Sequence, residues 1–228
     1  MVYKEALINS IEADFVFAKK PLNRFKIKGT NTNSNKEEQI DQLKKLINSI
    51  ENCKLKENSK KLIFGTGNVN SPIMIIGEAP GLEEENNGVT FQGEVGSLLK
   101  KMLNAINLNL NKVYSTYAVN YRPPEDRKPT SIEIKRYSIF LKEHISIIDP
   151  KIIILLGSSA MESITNSNSK ISDERGKWKE IILKNKTYPI MVTFSPSYLI
   201  RYPENKKYSW DDLKKIRKKI LDQKIQIS

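Results

Sequence analysis

The sequence is poor in residues that bind metals or form cross-links. It contains one cysteine, Cys53, and one histidine, His144, among 228 residues. A single thiol excludes an intramolecular disulfide. An iron–sulfur cluster and a structural zinc ion each need about four ligands, mostly cysteine and histidine. We therefore expect neither to be held by this chain alone.

Long apolar segments are also missing. No run approaches the roughly 18 consecutive apolar residues that a membrane-spanning helix requires, and the first residues lack the pattern of a signal peptide. The Gly-x4-Gly-Lys-Ser/Thr loop is absent as well, which disfavours a small nucleotide hydrolase built on that motif. We expect a cytoplasmic protein without membrane contact.

What the sequence has in excess is positive charge. Thirty-eight Lys and Arg residues against 26 Asp and Glu give a formal net charge of +12. Such a charge is typical of proteins that bind polyanions, because each neutralised phosphate releases condensed counterions. The abundance of Lys, Asn and Ile also fits an A/T-rich genome, so compositional drift is the alternative explanation.

The chain divides into a short arm and one larger domain. An amphipathic stretch precedes Pro21, and residues 28–35 form a polar Gly/Asn/Ser-rich segment typical of a linker. We assign residues 1–36 to an N-terminal helical arm with a flexible linker, and residues 37–228 to a domain. The apolar residues of the arm are Ala6, Leu7, Ile11 and Phe15.

The domain alternates strand and helix patterns. Apolar positions at helical spacing predict helices over 38–50, 98–106, 131–148 and 210–220, the last with Trp210, Leu213, Ile216 and Ile220 on its inner face. Short β-rich runs predict strands over 73–76, 113–119, 151–156 and 189–194. This order predicts an α/β fold, a three-layer α/β/α arrangement around a central, four-stranded, parallel twisted sheet.

Ligands bind at the carboxyl ends of such strands, and the first two segments found there are distinctive. Gly77-Glu-Ala-Pro-Gly81 ends the first strand, and glycine lets backbone N–H groups approach a ligand. Asn120 follows the second strand with an amide that donates and accepts, as reading a base edge requires. Arg122 and Arg127 on the next, proline-rich loop suit phosphate. Tight turns with a solvated acidic patch and a capping Asn are the structural alternatives.

The other two strand ends carry weaker signals. Ser158 opens a helix whose free amides suit an anion. Residues 194–203 predict a proline-bounded loop on which Tyr198 or Leu199 enters a base stack while Arg201 contacts phosphate. Packing of that loop on its own core is the alternative. Residues 201–219 carry eight basic and three acidic side chains, which favours an anionic partner without requiring one.

These segments also carry a family resemblance, over about residues 50–215. The chain resembles the family 4 uracil-DNA glycosylases, whose fold is a four-stranded parallel sheet between helices. The resemblance implies a monomeric DNA repair enzyme that acts on uracil-containing DNA at the bacterial nucleoid, flipping uracil out and cleaving its N-glycosidic bond. The matching residues are Phe64-Gly-Thr-Gly-Asn68, Gly77-Glu-Ala-Pro-Gly81 with Glu84 and Glu85, Phe91, Gly93 and Gly96, Asn120, Arg122-Pro-Pro, Arg127-Lys-Pro-Thr130, Pro150, Leu156-Gly157, Arg175-Gly176 with Trp178, and Ser195-Pro-Ser-Tyr-Leu-Ile-Arg201.

Residue roles follow from the resemblance. Phe91 stacks on the flipped base, Asn120 pairs with its O4 and N3–H edge, and backbone amides around Glu78 and Ala79, next to Gly77, meet O2. Leu199 enters the gap left in the stack. Phosphate contacts fall to Arg122, Arg127, Ser158 and Arg201.

The chain departs from the family at its metal site. Family members ligate a 4Fe–4S cluster with four cysteines, and the matching positions here are Ile50, Cys53, Tyr121 and Tyr137. We therefore expect no cluster and no other cofactor, as in the branch of the family that lacks it. Tyr121 and Tyr137 are expected to fill the space by packing.

A second departure affects the chemistry. Ser195 stands where the motif usually begins with histidine, and loss of one such donor costs about 100- to 1,000-fold in rate. Ser195 is the candidate for a weaker donor. Glu84 is the candidate for orienting water, with organisation of its loop as the alternative, and Glu78 completes the catalytic set. His144, in the middle of a helix, is expected at the surface.

Two functions remain open at this point. The first is a slow, monofunctional uracil-DNA glycosylase. The second is a catalytically degenerate protein that binds uracil or abasic sites in DNA without cleaving.

Overall fold

The computed structural model describes residues 35–226. The amphipathic stretch and most of the linker predicted for the arm lie outside these residues. The described helices are α1 (Lys36–Asn48), α2 (Lys54–Asn58), α3 (Leu82–Asn87), α4 (Gly93–Asn104), α5 (Ser131–Ile148), α6 (Ser158–Thr165), α7 (Ile171–Glu174), α8 (Pro196–Arg201) and α9 (Lys206–Asp222). The strands are β1 (Thr66–Gly67), β2 (Ile73–Gly77), β3 (Tyr114–Tyr117), β4 (Ile152–Leu156), β5 (Trp178–Leu183) and β6 (Lys186–Thr193).

The strands form one sheet in the order β1-β3-β2-β4-β6-β5. The central four, β3, β2, β4 and β6, run parallel, as predicted. An antiparallel strand lies at each edge, β1 beside β3 and β5 beside β6. The predicted α/β fold is confirmed, and the sheet has six strands rather than four.

Alternation along each strand sends side chains into two cores, one on each face of the sheet. Met74 and Ile153 pack on one face, under α1, α5 and α6. Ile75 and Ile154 pack on the other, under α4 and α9. Because β2 and β4 are buried on both faces, their sequences are continuous apolar runs. The two helical layers complete the three-layer arrangement.

Helix α5 has the ends that its sequence predicts. The Thr130 hydroxyl accepts from the Glu133 N–H, and the Glu133 carboxylate accepts from the Thr130 N–H at 2.8 Å. This reciprocal cap satisfies two otherwise unpaired amides. Asp149 ends the helix in the left-handed conformation, with φ of 55°.

Two predictions about helix faces are wrong. Trp210 is 43% exposed, because it lies outside the buried face of α9, whose apolar residues are Leu213, Ile216 and Ile220. His144 is buried. Its Nε2 lies 2.8 Å from the Tyr114 hydroxyl, and its ring stacks on Phe64 at 4.1 Å between centroids. These aromatic partners belong to segments distant in sequence, so the sequence of α5 itself does not indicate that His144 is buried.

No described helix combines the length and apolar character needed to cross a bilayer.

His144 makes the stability of the fold dependent on pH. Burial, followed by the nearby charge of Lys44, lowers its pKa to about 3. Between pH 7 and pH 5 the unfolded chain takes up a proton at His144 that the folded chain excludes. The free energy of unfolding should therefore fall by about 2 kcal/mol over this interval from this residue.

Urea unfolding at both pH values measures this effect, with His144→Gln as the comparison. The variant should be less stable at pH 7 but lose less stability on going to pH 5. Equal losses in the two proteins would refute the assignment.

Candidate functional site

A cavity of about 590 Å³ opens at the carboxyl ends of the parallel strands. It lies at the edge of the sheet where the sequence places the site. Four separate segments and two strand-end side chains build it. The lining comprises Gly77–Glu84, Phe91–Val95, Tyr117, residues 126–129, Leu156, residues 195–197, Ile200 and Arg201.

Aromatic rings form one wall of the cavity. Phe91 has a left-handed backbone, with φ of 51°, and its N–H donates to the Tyr117 hydroxyl at 2.8 Å. The two ring centroids lie 4.9 Å apart. A Cβ at Gly77 would stand 2.7 Å from the Tyr117 ring, so only glycine fits there. Phe91 is thus fixed on the cavity wall, in the position that stacking on a planar ligand requires.

Glu84 connects the two loops that flank this wall. It is buried, and its Oε2 and Oε1 accept from the backbone N–H groups of Gly81 and Gln92, each at 2.8 Å. Burial, together with the charge of Glu84, raises the pKa of Tyr117 well above its usual value. Because backbone amides occupy both oxygens, this geometry favours loop organisation by Glu84 over the orientation of water.

Glu78 joins the end of β2 to the start of α6. Its Oε1 accepts from the Ser159 N–H at 3.1 Å and the Ser158 hydroxyl at 3.3 Å. The Lys128 ammonium donates to the same hydroxyl at 3.1 Å. Gly157 has φ of 100°, and a Cβ there would lie 2.3 Å from the Glu78 carboxyl carbon. Ser158 is predicted to contact phosphate, but its hydroxyl already donates a hydrogen bond to Glu78 and accepts one from Lys128.

Asn120 differs from its predicted arrangement. Its side chain is buried, and its Nδ2 donates to the carbonyl oxygens of Ile63 at 3.0 Å and Phe64 at 3.3 Å. Asn120 is not one of the described residues that line the cavity. The donor half of its amide is engaged, which leaves Oδ1 as the group for a ligand.

Ser195 lines the cavity and caps α8. Its hydroxyl accepts from the Tyr198 N–H at 3.4 Å and lies 3.1 Å from the Ser197 hydroxyl. Pro196 occupies the first helical position, where a missing N–H costs nothing. The segment predicted as a loop is therefore a short helix. The Ser-Pro pair was the signal that could have indicated it.

This helix changes the position of Leu199. Leu199 is 1% exposed and packs in the core, so the expectation that its side chain projects from a loop into a base stack is wrong. Helical periodicity turns position 199 inward. It turns Ser197, Ile200 and Arg201 toward the cavity.

The predicted phosphate-binding arginines fall into two groups. Arg122 pairs with Asp126 at 2.7 Å and Glu85 at 3.3 Å, and Arg127 pairs with Glu133 at 2.7 Å. No ion pair within residues 35–226 engages Arg201 or Lys128. The cavity rim therefore carries three cations, Arg127, Lys128 and Arg201, and only the first is neutralised by a carboxylate.

The four positions that match cluster ligands in the family occupy one core. The Cys53 Sγ lies 3.3 Å from the Tyr137 hydroxyl, and the rings of Tyr121 and Tyr137 meet edge to face at 6.4 Å. The Tyr121 hydroxyl donates to Asn48 at 2.7 Å, and Ile50 packs against the same core. One thiol among phenols and an alkyl chain does not fit an iron–sulfur cluster.

Comparison with known proteins places these residues in context. The family model described as the uracil DNA glycosylase superfamily matches residues 64–215. Type-4 uracil-DNA glycosylases from Archaeoglobus fulgidus, Sulfurisphaera tokodaii and Thermotoga maritima are 31%, 34% and 32% identical to the chain. These alignments cover 78%, 78% and 75% of this chain, and 92%, 83% and 88% of the respective relatives.

The position of Glu84 can be tested through the loops it connects. Glu84→Gln replaces one acceptor oxygen with an NH2 group that faces a backbone N–H. We expect a loss of about 1–3 kcal/mol in the free energy of unfolding, and faster hydrogen exchange at the amides of Gly81 and Gln92. The exposed neighbour, in Glu83→Gln, is the control and should change neither. Unchanged exchange at both amides in Glu84→Gln would contradict the role.

Proposed function

This chain belongs to the uracil DNA glycosylase superfamily, and we propose that it flips uracil out of DNA and hydrolyses its N-glycosidic bond, leaving an abasic site. The observation that carries the proposal is the cavity itself. Its aromatic wall, the Gly77–Gly81 turn and Ser195 converge on one space, which Lys128 and Arg201 also line.

Recognition in this proposal begins with extrusion of the base, which costs a few kcal/mol. Stacking on Phe91 offsets part of that cost. Asn120 acts through Oδ1, because its Nδ2 is engaged with backbone carbonyls. An acceptor there suits the N3–H of uracil and rejects cytosine, whose N3 is itself an acceptor, since two acceptors would be left unpaired.

Bond cleavage places negative charge on O2 of the departing uracil. Donors aimed at that oxygen are the largest expected catalytic contribution. We assign this role to backbone N–H groups near Glu78 and Ala79, and to the Ser195 hydroxyl, whose hydrogen is available when it is not directed at Ser197. A hydroxyl is a weaker donor than the usual imidazole, so we expect slow turnover.

Water attack follows departure of the base and needs little activation. Of the two carboxylates in the predicted catalytic set, Glu84 has both oxygens bonded to amides. Glu78 accepts through Oε1 alone within the described residues, so its Oε2 is our candidate for positioning the water.

The setting of this activity is also part of the proposal. We infer a monomer that acts on uracil-containing DNA, in the cytoplasm and at the bacterial nucleoid. The net charge of +12, and the cations Lys128 and Arg201 at the cavity, which no ion pair within residues 35–226 engages, support the choice of DNA.

The function is tested by incubating the protein with a uracil-containing oligonucleotide and cleaving abasic sites with alkali. Wild type should produce cleaved strand, and Asn120→Ala should produce far less. Ser195→Ala should lower the single-turnover rate by about 10- to 100-fold, less than the roughly 100- to 1,000-fold of a strong oxyanion donor.

Two controls accompany that test. Ser195→Thr keeps both the helix cap and the hydroxyl, and should retain most activity. Ser172→Ala, on exposed helix α7, should match wild type. An unchanged rate in Ser195→Ala would remove Ser195 from the mechanism. Binding of uracil-containing DNA by wild type without any release of uracil would instead establish the non-cleaving alternative.

We further propose that the protein carries no iron–sulfur cluster. The support is the donor set, a single thiol bonded to Tyr137. Protein purified without oxygen should be colourless and contain far less than one iron atom per chain. A brown protein with the absorbance of a cluster would overturn this, and Cys53→Ala, which should keep uracil release, would show whether the thiol matters.

A further inference from the structure

We propose that three successive aromatic rings beside the cavity form a platform for the bases of single-stranded DNA that flank the uracil. The aromatic column consists of Phe194, Tyr198 and Tyr202. This inference rests on the proposed function and extends it. It assigns to Tyr202 the binding of a base beside the uracil when the DNA is single-stranded.

The rings of the column follow one another in contact, with interplanar angles of 29° between Phe194 and Tyr198 and 39° between Tyr198 and Tyr202. The ring centroids of Phe194 and Tyr198 lie 4.8 Å apart, and those of Tyr198 and Tyr202 lie 4.9 Å apart. The guanidinium carbon of Arg175 lies 5.4 Å from the Phe194 ring, at the buried end. The other end is open, because Tyr202 is 48% exposed. A planar ligand can therefore continue the column only at Tyr202.

The exposed ring is held in place by its backbone. Tyr202 ends α8, and its N–H donates to the Tyr198 carbonyl at 2.9 Å. Pro203 follows and opens a short 3₁₀ helix, in which the Asn205 N–H donates back to the Tyr202 carbonyl at 3.1 Å. Asn205 also donates through its side chain to the Tyr198 hydroxyl. Because this backbone is already fixed, a base that stacks on the Tyr202 ring has few protein torsion angles to restrict.

The column stands next to the proposed uracil site. Helix α8, which Tyr202 follows directly, contributes Ser197, Ile200 and Arg201 to the cavity. Exposed cations lie close to Tyr202 in the sequence: Arg201 precedes it, and Lys206 and Lys207 follow it. A nucleotide strand leaving the cavity along α8 would find positive charge for its phosphates and a ring for a base.

Tyr208 does not offer the same surface. Its ring is contacted by two cations, Arg175 at 5.3 Å and Lys207 at 5.0 Å from the centroid. Within residues 35–226 no cation–π contact engages Tyr202, so of these two exposed rings we assign the base to Tyr202.

The open ring favours single strands over duplexes. In a duplex the bases beside the uracil are already stacked and paired, and a protein ring gains little by replacing those contacts. In a single strand the same bases have free faces. Base–aromatic stacking is worth about 1–3 kcal/mol per base and tolerates any sequence.

The test measures binding of single-stranded oligothymidine, which contains no uracil, by fluorescence anisotropy at fixed salt. Tyr202→Ala should weaken binding by about 5- to 100-fold, and Tyr202→Phe should restore it. The salt dependence should stay the same, since no charge is removed. Binding to the matched duplex should change by less than about twofold.

Ile139→Ala is the control, since this side chain is exposed on α5, which packs on the opposite face of the sheet. It should leave binding unchanged, and melting temperatures should confirm that all variants fold. Unchanged single-strand binding in Tyr202→Ala would overturn the inference. So would a loss confined to the duplex, which would make Tyr202 a wedge.

Failure of this inference is separable from failure of the proposed function. Oligothymidine binding does not depend on cleavage, so a wild type that releases no uracil would leave the binding result intact. Uracil release by wild type, with oligothymidine binding unaffected by Tyr202→Ala, would refute the platform alone.

Discussion

A single buried carboxylate defines the shape of the cavity. Glu84 accepts one backbone amide from each of the two loops that form its wall. Two amides that would otherwise face a low-dielectric interior without partners are thereby satisfied by one group. The left-handed backbone of Phe91, which is costly for an aromatic residue, persists because this bond and the Tyr117 hydroxyl fix the chain on both sides of it. Recognition by stacking, in our proposal, depends on that fixation.

The central sheet and its covering helices follow from sequence patterns. Strands buried on both faces leave continuous apolar runs, and α5 begins and ends at residues whose capping chemistry is local. The edge strands leave weaker signals. β1 has two residues, and β5 is half exposed and paired through a hairpin whose turn uses Lys184 and Asn185 at positive φ. The pairing of β1 with β3 depends on a segment distant in sequence, whereas β5 pairs with the next strand along the chain.

The candidate site, like the sheet, was predictable only in part. Gly77, Glu78, Ala79, Phe91, Ser195 and Arg201 reach one cavity because strand ends converge in any parallel sheet. The hydrogen-bond, ion-pair and stacking partners that other segments of the chain supply to these residues were not predictable from the sequence. The carboxylates that pair with Arg122 and Arg127, the carbonyls that engage Asn120, and the aromatic rings around His144 come from other segments. Leu199 lies in the core because residues 196–201 form a short helix and not the predicted loop, which reverses the direction of its side chain.

The pairing of Arg127 with Glu133 has a consequence for how the protein meets nucleic acid. The Arg127 guanidinium lowers the pKa of Glu133 through this contact. The charge of Arg127 is therefore already balanced before any phosphate binds. Engagement of DNA at this point is an exchange of one anion for another, and it adds little to counterion release. In the proposed function, Arg127 therefore adds less to non-specific attraction to the DNA backbone than an unpaired arginine would, and it binds a phosphate only where that phosphate displaces Glu133.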